Sequence, residues 1–310
     1  MGVSELDISI IICTCDRPMP LMRCLKSIAN AMNETPGLTV EIVVVENGSS
    51  DGLRLDEMGV RQAGGSCVRL IQLPSGGLAQ ARNEGMRMAR GRIFVFTDDD
   101  CIMDRNYLRD LSKHDCEASG DMFIGGRVKL ADATDLEFTI KNVPERELFE
   151  VHIHPGGFLQ GCNLAIARDT AKKIGEFDTR FGAGSPLKAG EDTDYMIRAH
   201  IAGMRIEYVP DMSIYHKHGR KLVRQVQELN HQYAFANGAI YAKYLLRQPW
   251  LLKRFFWTAR AAAIERFLGG PKFNDGLGLT WGSLLKSHLM GFIGYFAHAL
   301  TAPRHLTKRR

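Results

Sequence analysis

The 310-residue chain is 45% hydrophobic and 24% charged, a balance that suits one or two packed cores and excludes a disordered or fibrous polypeptide. Its net charge of +5 hides a division: residues 1–219 carry 25 Lys/Arg against 32 Asp/Glu, net −7, whereas residues 220–310 carry 15 against 3, net +12. The seven cysteines are odd in number and irregularly spaced, which excludes a disulfide framework and predicts reduced thiols.

Met1–Asp7 lacks a basic stretch followed by an apolar core, so no secretory signal is expected and the cytosol is the expected compartment. Ile8–Ile12 is a β-branched run broken only by Ser9 that predicts a buried strand, and Leu21, Leu25 and Ile28 recur at helical spacing across Pro20–Ala31. Cys13-Thr14-Cys15 lies at that strand's end without a second cysteine pair, so it does not read as a zinc site. Val40–Val45 repeats the strand signal and stops at the polar cluster Glu46-Asn47-Gly48-Ser49-Ser50-Asp51. Val68–Leu73 predicts a third strand, Gly76–Arg90 a helix, and Arg92–Phe96 a fourth strand. Alternating strands and helices imply a doubly wound, mixed but mostly parallel sheet, in which ligands gather beyond the carboxyl ends of the strands. Thr14–Arg17, Glu46–Asp51 and Asp98–Asp100 are therefore expected to converge.

The fourth strand drives straight into Asp98-Asp99-Asp100. Three consecutive carboxylates repel one another, and a hard divalent cation with positions open for substrate phosphates relieves that repulsion. A solvated acidic turn is the alternative. Further on, the sequence predicts a helix over Asn106–Ala118, a strand around Met122–Leu130, and a glycine-rich close-approach loop at Gly156–Asn163. A strand and helix run on to Ile174, and a helix opens at Glu191-Asp192-Thr193-Asp194 and continues to Ala202. Acids in a helix's first turn are favoured by the dipole alone, which is the plain account of that cluster. Arg205–Val209 and Asp211–Tyr215 read as two short extended pieces ahead of His216-Lys217-His218.

Seven ordered blocks then stand together: Ile-Ile-Cys-Thr-Cys-Asp-Arg at 11–17, Val-Val-Val-Glu-Asn-Gly-Ser-Ser-Asp at 43–51, Gly-Leu-Ala-Gln-Ala-Arg-Asn-Glu-Gly at 77–85, Asp98–Asp100, Gly175-Glu176-Phe177-Asp178, Glu191–Asp194 and His216–His218. In this order they resemble the inverting glycosyltransferases of family 2, with the GT-A fold, over roughly residues 8–219. The resemblance implies that Thr14, Asp16 and Arg17 meet the nucleotide, with Asp16 standing where the family usually has Asn. It implies that Glu46, in place of the commoner Asp, accepts a hydrogen bond from the uracil imide. It places Arg82 and Asn83 near the nucleotide, Asp98 on the ribose side, Asp100 on a Mg²⁺ or Mn²⁺ ion, and Asp99 between them. Asp192 matches the family's general base, Glu191 its neighbour that orients base or acceptor, and His216 or His218 a group that completes the metal shell or touches the diphosphate. One base and no nucleophile imply inversion at the anomeric carbon.

Residues 220–310 lie outside the resemblance and are expected to form a basic helical region over Leu222–Leu246, Trp250–Leu268 and Leu279–Leu300. Trp250, Phe255, Phe256 and Trp257 interleave with Lys253, Arg254 and Arg260, as on a helix lying in a membrane interface. Trp281, Leu285, Leu289, Phe292 and Phe296 form a stripe, but Lys286 and His288 interrupt any clean span, so attachment in the plane is expected rather than crossing. The basic end, Arg304 and Lys308–Arg310, is expected to add attraction to anionic lipid. Core helices with solvated basic faces are the alternative.

The sequence thus predicts two domains, 1–219 and 220–310, and a metal-dependent transferase that moves sugar from a nucleoside diphosphate donor, uridine-linked, to a glycan or lipid-linked acceptor. Polysaccharide or cell-envelope synthesis at the inner face of the cell membrane is the expected setting, and nucleic acid is not an expected partner. The competing readings are a sugar nucleotidyltransferase, which would want a glycine-rich, basic phosphate loop after the first strand, and a non-catalytic sugar-nucleotide binding module.

Overall fold

The computed structural model describes residues 6–117 and 121–301. The chain divides into two compact units, one comprising the chain through Thr179 with Glu191–Lys221, the other Arg180–Gly190 with the chain from Leu222.

The first unit is built on one sheet. Strands β1 (Leu6–Thr14), β2 (Val40–Asn47), β3 (Val68–Leu73) and β4 (Gly91–Asp98) pair in parallel in the order β3-β2-β1-β4. Beyond β4 the sheet becomes mixed, continuing through β8 (Asn163–Ala167), β6 (Phe123–Leu130), β9 (Glu207–His216) and β5 (Cys101–Met103), with β7 (Glu147–Leu148) also on β9. The register puts Thr14 beside Glu46 and Cys13 beside Asp98, so the ends of β1, β2 and β4 lie at one edge.

Helices cover both faces. On one face α1 (Pro18–Asn33) buries Leu21, Cys24, Leu25 and Ile28 against Ile8, Ile10, Ile12, Ile42 and Val44, joined by Val60 of α2 (Glu57–Gly64) and Leu108 of α4 (Tyr107–Glu117). Pro18 suits the start of α1, because its ring presets the helical φ and the missing N–H would have had no helical partner. Each buried Leu or Ile contributes roughly 1.5–3 kcal/mol, and Leu25→Ala would open a cavity as well. On the other face α3 (Leu78–Met88) lies so close to β1 that a Cβ on Gly85 would sit 2.4 Å from Ile11 Cγ2. That close approach, one turn after Arg82, sets where the Arg82 side chain reaches.

The two extended pieces expected around Pro210 are a single strand, β9. Its pairing with β6 shifts register between Gly126 and Arg127, opposite the segment that holds Pro210. Proline cannot donate to the ladder, and a bulge absorbs the missing bond. Helix α4 is described to Glu117, and the rest of the predicted helix to Ala118 falls outside the described residues. Helices α5 (Arg168–Ile174) and α6 (Glu191–Ile201) complete this unit.

In the second unit α7 (Val223–Lys243), α8 (Trp250–Leu268) and α9 (Trp281–Thr301) are the helices that the sequence predicted. The packed face of α9 is Leu284, His288 and Gly291, while Leu289 and Phe296 of the stripe singled out in the sequence are exposed. His288, which looked like an interruption, is 5% exposed, whereas Leu289, Met290, Ile293 and Phe296 are exposed. On α8, Phe256, Trp257, Phe267 and Leu268 are exposed and only Leu251, Thr258 and Ala262 are buried. Among the described residues no helix is long and apolar enough to cross a membrane. Arg304 and Lys308–Arg310 lie outside the described residues.

Candidate active site

The ends of β1, β2 and β4 converge through hydrogen bonds. Thr14 Oγ1 donates to Asp99 Oδ2 at 2.7 Å, and Arg17, just ahead of α1, places Nη1 3.1 Å from Asp99 Oδ1 and Nη2 2.8 Å from Asp100 Oδ2. Asp16 adopts a left-handed φ of 56°, a conformation that Asn and Asp tolerate better than most residues. Its N–H donates to Ser49 Oγ at 3.0 Å, and its Oδ1 accepts from the Ser50 N–H and hydroxyl, each at 2.8 Å. The β1–α1 turn is thereby latched to the turn after β2.

Glu46 is placed differently from what the resemblance implied. It is 2% exposed; Oε1 accepts the Leu55 N–H at 2.8 Å and Oε2 accepts Gln72 Nε2 at 2.7 Å. Both oxygens already fasten the loop after β2 to β3, so the observed work of Glu46 is to shape that loop. Asn83 is likewise occupied: it donates to the Phe177 carbonyl at 2.9 Å and accepts the Phe177 N–H at 2.7 Å, tying α3 to the Gly175–Asp178 block.

The two acidic clusters meet at Arg82. This side chain is 3% exposed; Nη1 lies 2.9 Å from Glu191 Oε1, and Nη2 reaches Asp98 Oδ1 at 3.4 Å and the Gly161 carbonyl at 3.1 Å. The Phe177 ring stands 5.6 Å from the guanidinium carbon. The Gly161 N–H in turn donates to Asp192 Oδ2 at 2.9 Å, while Asp192 Oδ1 accepts the Thr193 N–H at 2.6 Å. A Cβ on Gly161 would lie 2.8 Å from Arg82 Nη2 and 3.0 Å from Asp192 Oδ2, so only glycine fits between them. The glycine-rich loop predicted to allow close approach does so at this residue.

His216 ends β9 and lies opposite Cys101 in register, with Nε2 3.3 Å from Asp100 Oδ1. Its Nδ1 is buried without a hydrogen-bond partner, and the His218 ring packs edge-on 5.2 Å away. Ligand atoms of Asp100, Cys101 and His216 all lie within 4.8 Å of one another. The Cys101 contribution was not legible from spacing, since it is strand pairing that brings residue 101 beside residue 216.

Electrostatics follow this geometry. Desolvation pushes Asp99 up to about 7 against the pull of Arg17, and it pushes Glu191 up to about 7 against Arg82, with Asp192 adding to the rise. Desolvation also raises Asp98; Arg82 opposes that and the Asp100 charge reinforces it. Burial acts upward on Asp100 as well, but His216 and Arg17 hold it well below the usual carboxylate range. His216 is correspondingly raised to about 9, because the Asp100 carboxylate outweighs its own burial. Asp98 keeps 34% of its side-chain surface exposed against 4% for Asp99 and 6% for Asp100, so it is the carboxylate of the three that faces outward.

Comparison with known proteins identifies the family and the fold. The family model described as "Glycosyl transferase family 2" matches residues 9–175. The chain is 25% identical over 211 residues to "Glycosyltransferase AglE" of Haloferax volcanii, covering 66% of this chain and 65% of that protein. It is 26% identical over 213 residues to "Succinoglycan biosynthesis protein ExoM" of Rhizobium meliloti, covering 68% and 67%. A "Pre-mycofactocin glycosyltransferase" of Mycobacterium tuberculosis is 24% identical over 71% of this chain but only 45% of its own length. Among solved structures, S. aureus TarS 1-349 in complex with UDP-GlcNAc has a TM-score of 0.54 at 16% identity, covering 95% of this chain and 92% of that one. That likeness shows the fold, a GT-A type mixed sheet flanked by helices and followed by C-terminal helices.

Proposed function

This chain belongs to glycosyl transferase family 2, and on that premise we propose that it moves a sugar from a uridine-linked nucleoside diphosphate donor to a hydroxyl of a glycan or lipid-linked acceptor, with inversion. The observation that carries the proposal is Arg82, whose guanidinium lies within hydrogen-bond reach of Asp98, Glu191 and Gly161 and so joins the strand-end acids to the helix-start acids. A nucleotidyltransferase or a non-catalytic binding module would not require both clusters in one place.

Asp192 takes the acceptor proton as the hydroxyl attacks the anomeric carbon. The Gly161 N–H on Oδ2 and the Thr193 N–H on Oδ1 fix the carboxylate plane, which keeps the basic oxygen aimed. Glu191 is held by Arg82 and keeps the first turn of α6 in place. On the donor side Thr14, Asp16 and Arg17 line the nucleotide end, with Asp98 facing the ribose and Asp99 braced by Thr14. Arg17 is a cation beside the departing diphosphate. The buried Nδ1 of His216 without a partner, and Nε2 turned to Asp100, fit an ion site built on Asp100 and His216, whereas Asp98 contacts Arg82. There Mg²⁺ or Mn²⁺ would neutralise charge on the leaving phosphate.

The second unit supports a membrane-surface setting at the inner face of the cell membrane. Exposed Phe256, Trp257, Phe267 and Leu268 on α8 stand among Lys253, Arg254 and Arg260, the mixture that seats a helix in an anionic interface. The likeness to a structure complexed with UDP-GlcNAc favours a uridine donor. The test is a thermal-shift panel of nucleoside diphosphate sugars with and without Mn²⁺: a uridine-linked sugar that stabilises only with metal supports the proposal, and indifference to every donor contradicts it.

A further inference from the structure

We infer that Asp100, Cys101 and His216 form a sulfur-containing site for a thiophilic divalent cation of the Zn²⁺ class. The site shares Asp100 and His216 with the ion just proposed for the donor phosphates, but it does not depend on the chain transferring sugar.

Three side chains from one strand pair supply the ligands. Cys101 and His216 face each other across β5 and β9, so their side chains leave the same face of the sheet, and Asp100 precedes Cys101. Asp100 Oδ1 is 3.3 Å from His216 Nε2 and 3.9 Å from Cys101 Sγ. A tetrahedral ion with bonds of about 2.0–2.1 Å to nitrogen and oxygen and about 2.3 Å to sulfur gives edges of about 3.3 Å and 3.5 Å, so the two Asp100 edges are within a few tenths of an ångström of what such an ion needs, and all three ligand atoms lie within 4.8 Å of one another. Both neighbours now point at the same carboxylate oxygen, where an ion would replace their hydrogens and release them to solvent.

Asp100 can serve two cations at once. Arg17 holds Oδ2, while Oδ1 is the oxygen turned to Cys101 and His216, so binding does not require Arg17 to leave. Charge also closes: one carboxylate and one thiolate neutralise a dication in a place where Asp100, Cys101 and His216 are 6%, 1% and 7% exposed. Mg²⁺ and Ca²⁺ prefer all-oxygen shells, whereas thiolate with imidazole selects zinc and its analogues. The buried sulfur therefore makes the site discriminate against the hard ions that the donor diphosphate favours, and a zinc-class ion should displace them.

The test is titration of the metal-free full chain with Co²⁺ alone, followed by ultraviolet and visible absorption. A thiolate-to-cobalt charge-transfer band with a tetrahedral visible spectrum is expected at one equivalent. Cys101→Ser should lose that band and weaken Zn²⁺ affinity in equilibrium dialysis by about 100-fold, the upper end of what loss of even an outer-shell partner causes. No band in the wild-type chain, or an unchanged band in Cys101→Ser, would overturn the inference. X-ray absorption of the Zn²⁺-loaded wild-type chain decides independently of whether the variant folds: a sulfur shell at about 2.3 Å supports it, and a shell of nitrogen and oxygen alone contradicts it. Neither readout involves sugar transfer, so the outcome is separate from that of the donor panel.

Discussion

Arg82 and Glu191 form a buried ion pair at 2.9 Å, with side chains 3% and 8% exposed, that joins α3 to the start of α6. Because the same guanidinium also meets Asp98 and the Gly161 carbonyl, removing it strands two carboxylates and one carbonyl at once. Arg82→Ala is therefore expected to destabilise the fold by about 3–5 kcal/mol, the usual cost of breaking a buried pair from one side. Urea denaturation measures this, and a loss under about 1 kcal/mol would mean that the pair is not structural.

Gly161→Ala tests the hand-off from Arg82 to Asp192. The added methyl would meet Arg82 at 2.8 Å and Asp192 at 3.0 Å, so the guanidinium, the carboxylate or both must shift. We expect kcat to fall at least about 10-fold, since a misaligned base acts on the transition state. An unchanged kcat would show that the Gly161 contact does not position Asp192.

Stability at acid pH should depend on Glu41. It lies 2% exposed in β2, accepts from Ser9 Oγ at 2.7 Å and pairs with Arg69 and Arg90. Burial acts to raise its carboxyl, but Ser9 and the two arginines win and hold it below the ordinary glutamate value. A depressed folded-state value means that the stabilisation is full above the unfolded value, near 4.5, and is lost as pH falls through the folded one. Thermal melts of the wild type should drop over that acid range more steeply than those of Glu41→Gln. Parallel pH profiles for the two would refute the role.

Much of this was legible in the sequence because local signals and topology agreed. The β-branched run of β1, the helical spacing of Leu21, Leu25 and Ile28, and the acids at the end of β4 together predict both the sheet and the edge where Thr14, Asp16, Arg17 and Asp99 meet. Glu46 and Asn83 were harder, because motif position does not reveal whether a polar side chain spends its hydrogen bonds on a ligand or on its own loops. The Cys101–His216 adjacency and the buried face of α9 arise from tertiary pairing, which no spacing rule encodes.

The basic, aromatic second unit predicts binding to anionic vesicles. Phe256→Asp with Trp257→Asp should lower cosedimentation sharply, and raised salt should weaken the wild type, since each cation near the surface contributes about 1 kcal/mol. Equal binding by the double variant, or equal binding to neutral vesicles, would contradict the membrane-surface reading.

The most direct test compares Asp192→Asn with Asp100→Ala by calorimetric donor binding and by nucleoside diphosphate release in the presence of acceptor. The account predicts that Asp192→Asn binds the donor with Mn²⁺ as the wild type does but loses transfer by more than about 100-fold, while Asp100→Ala loses metal-dependent donor binding itself. Transfer by Asp192→Asn at the wild-type rate would contradict the account.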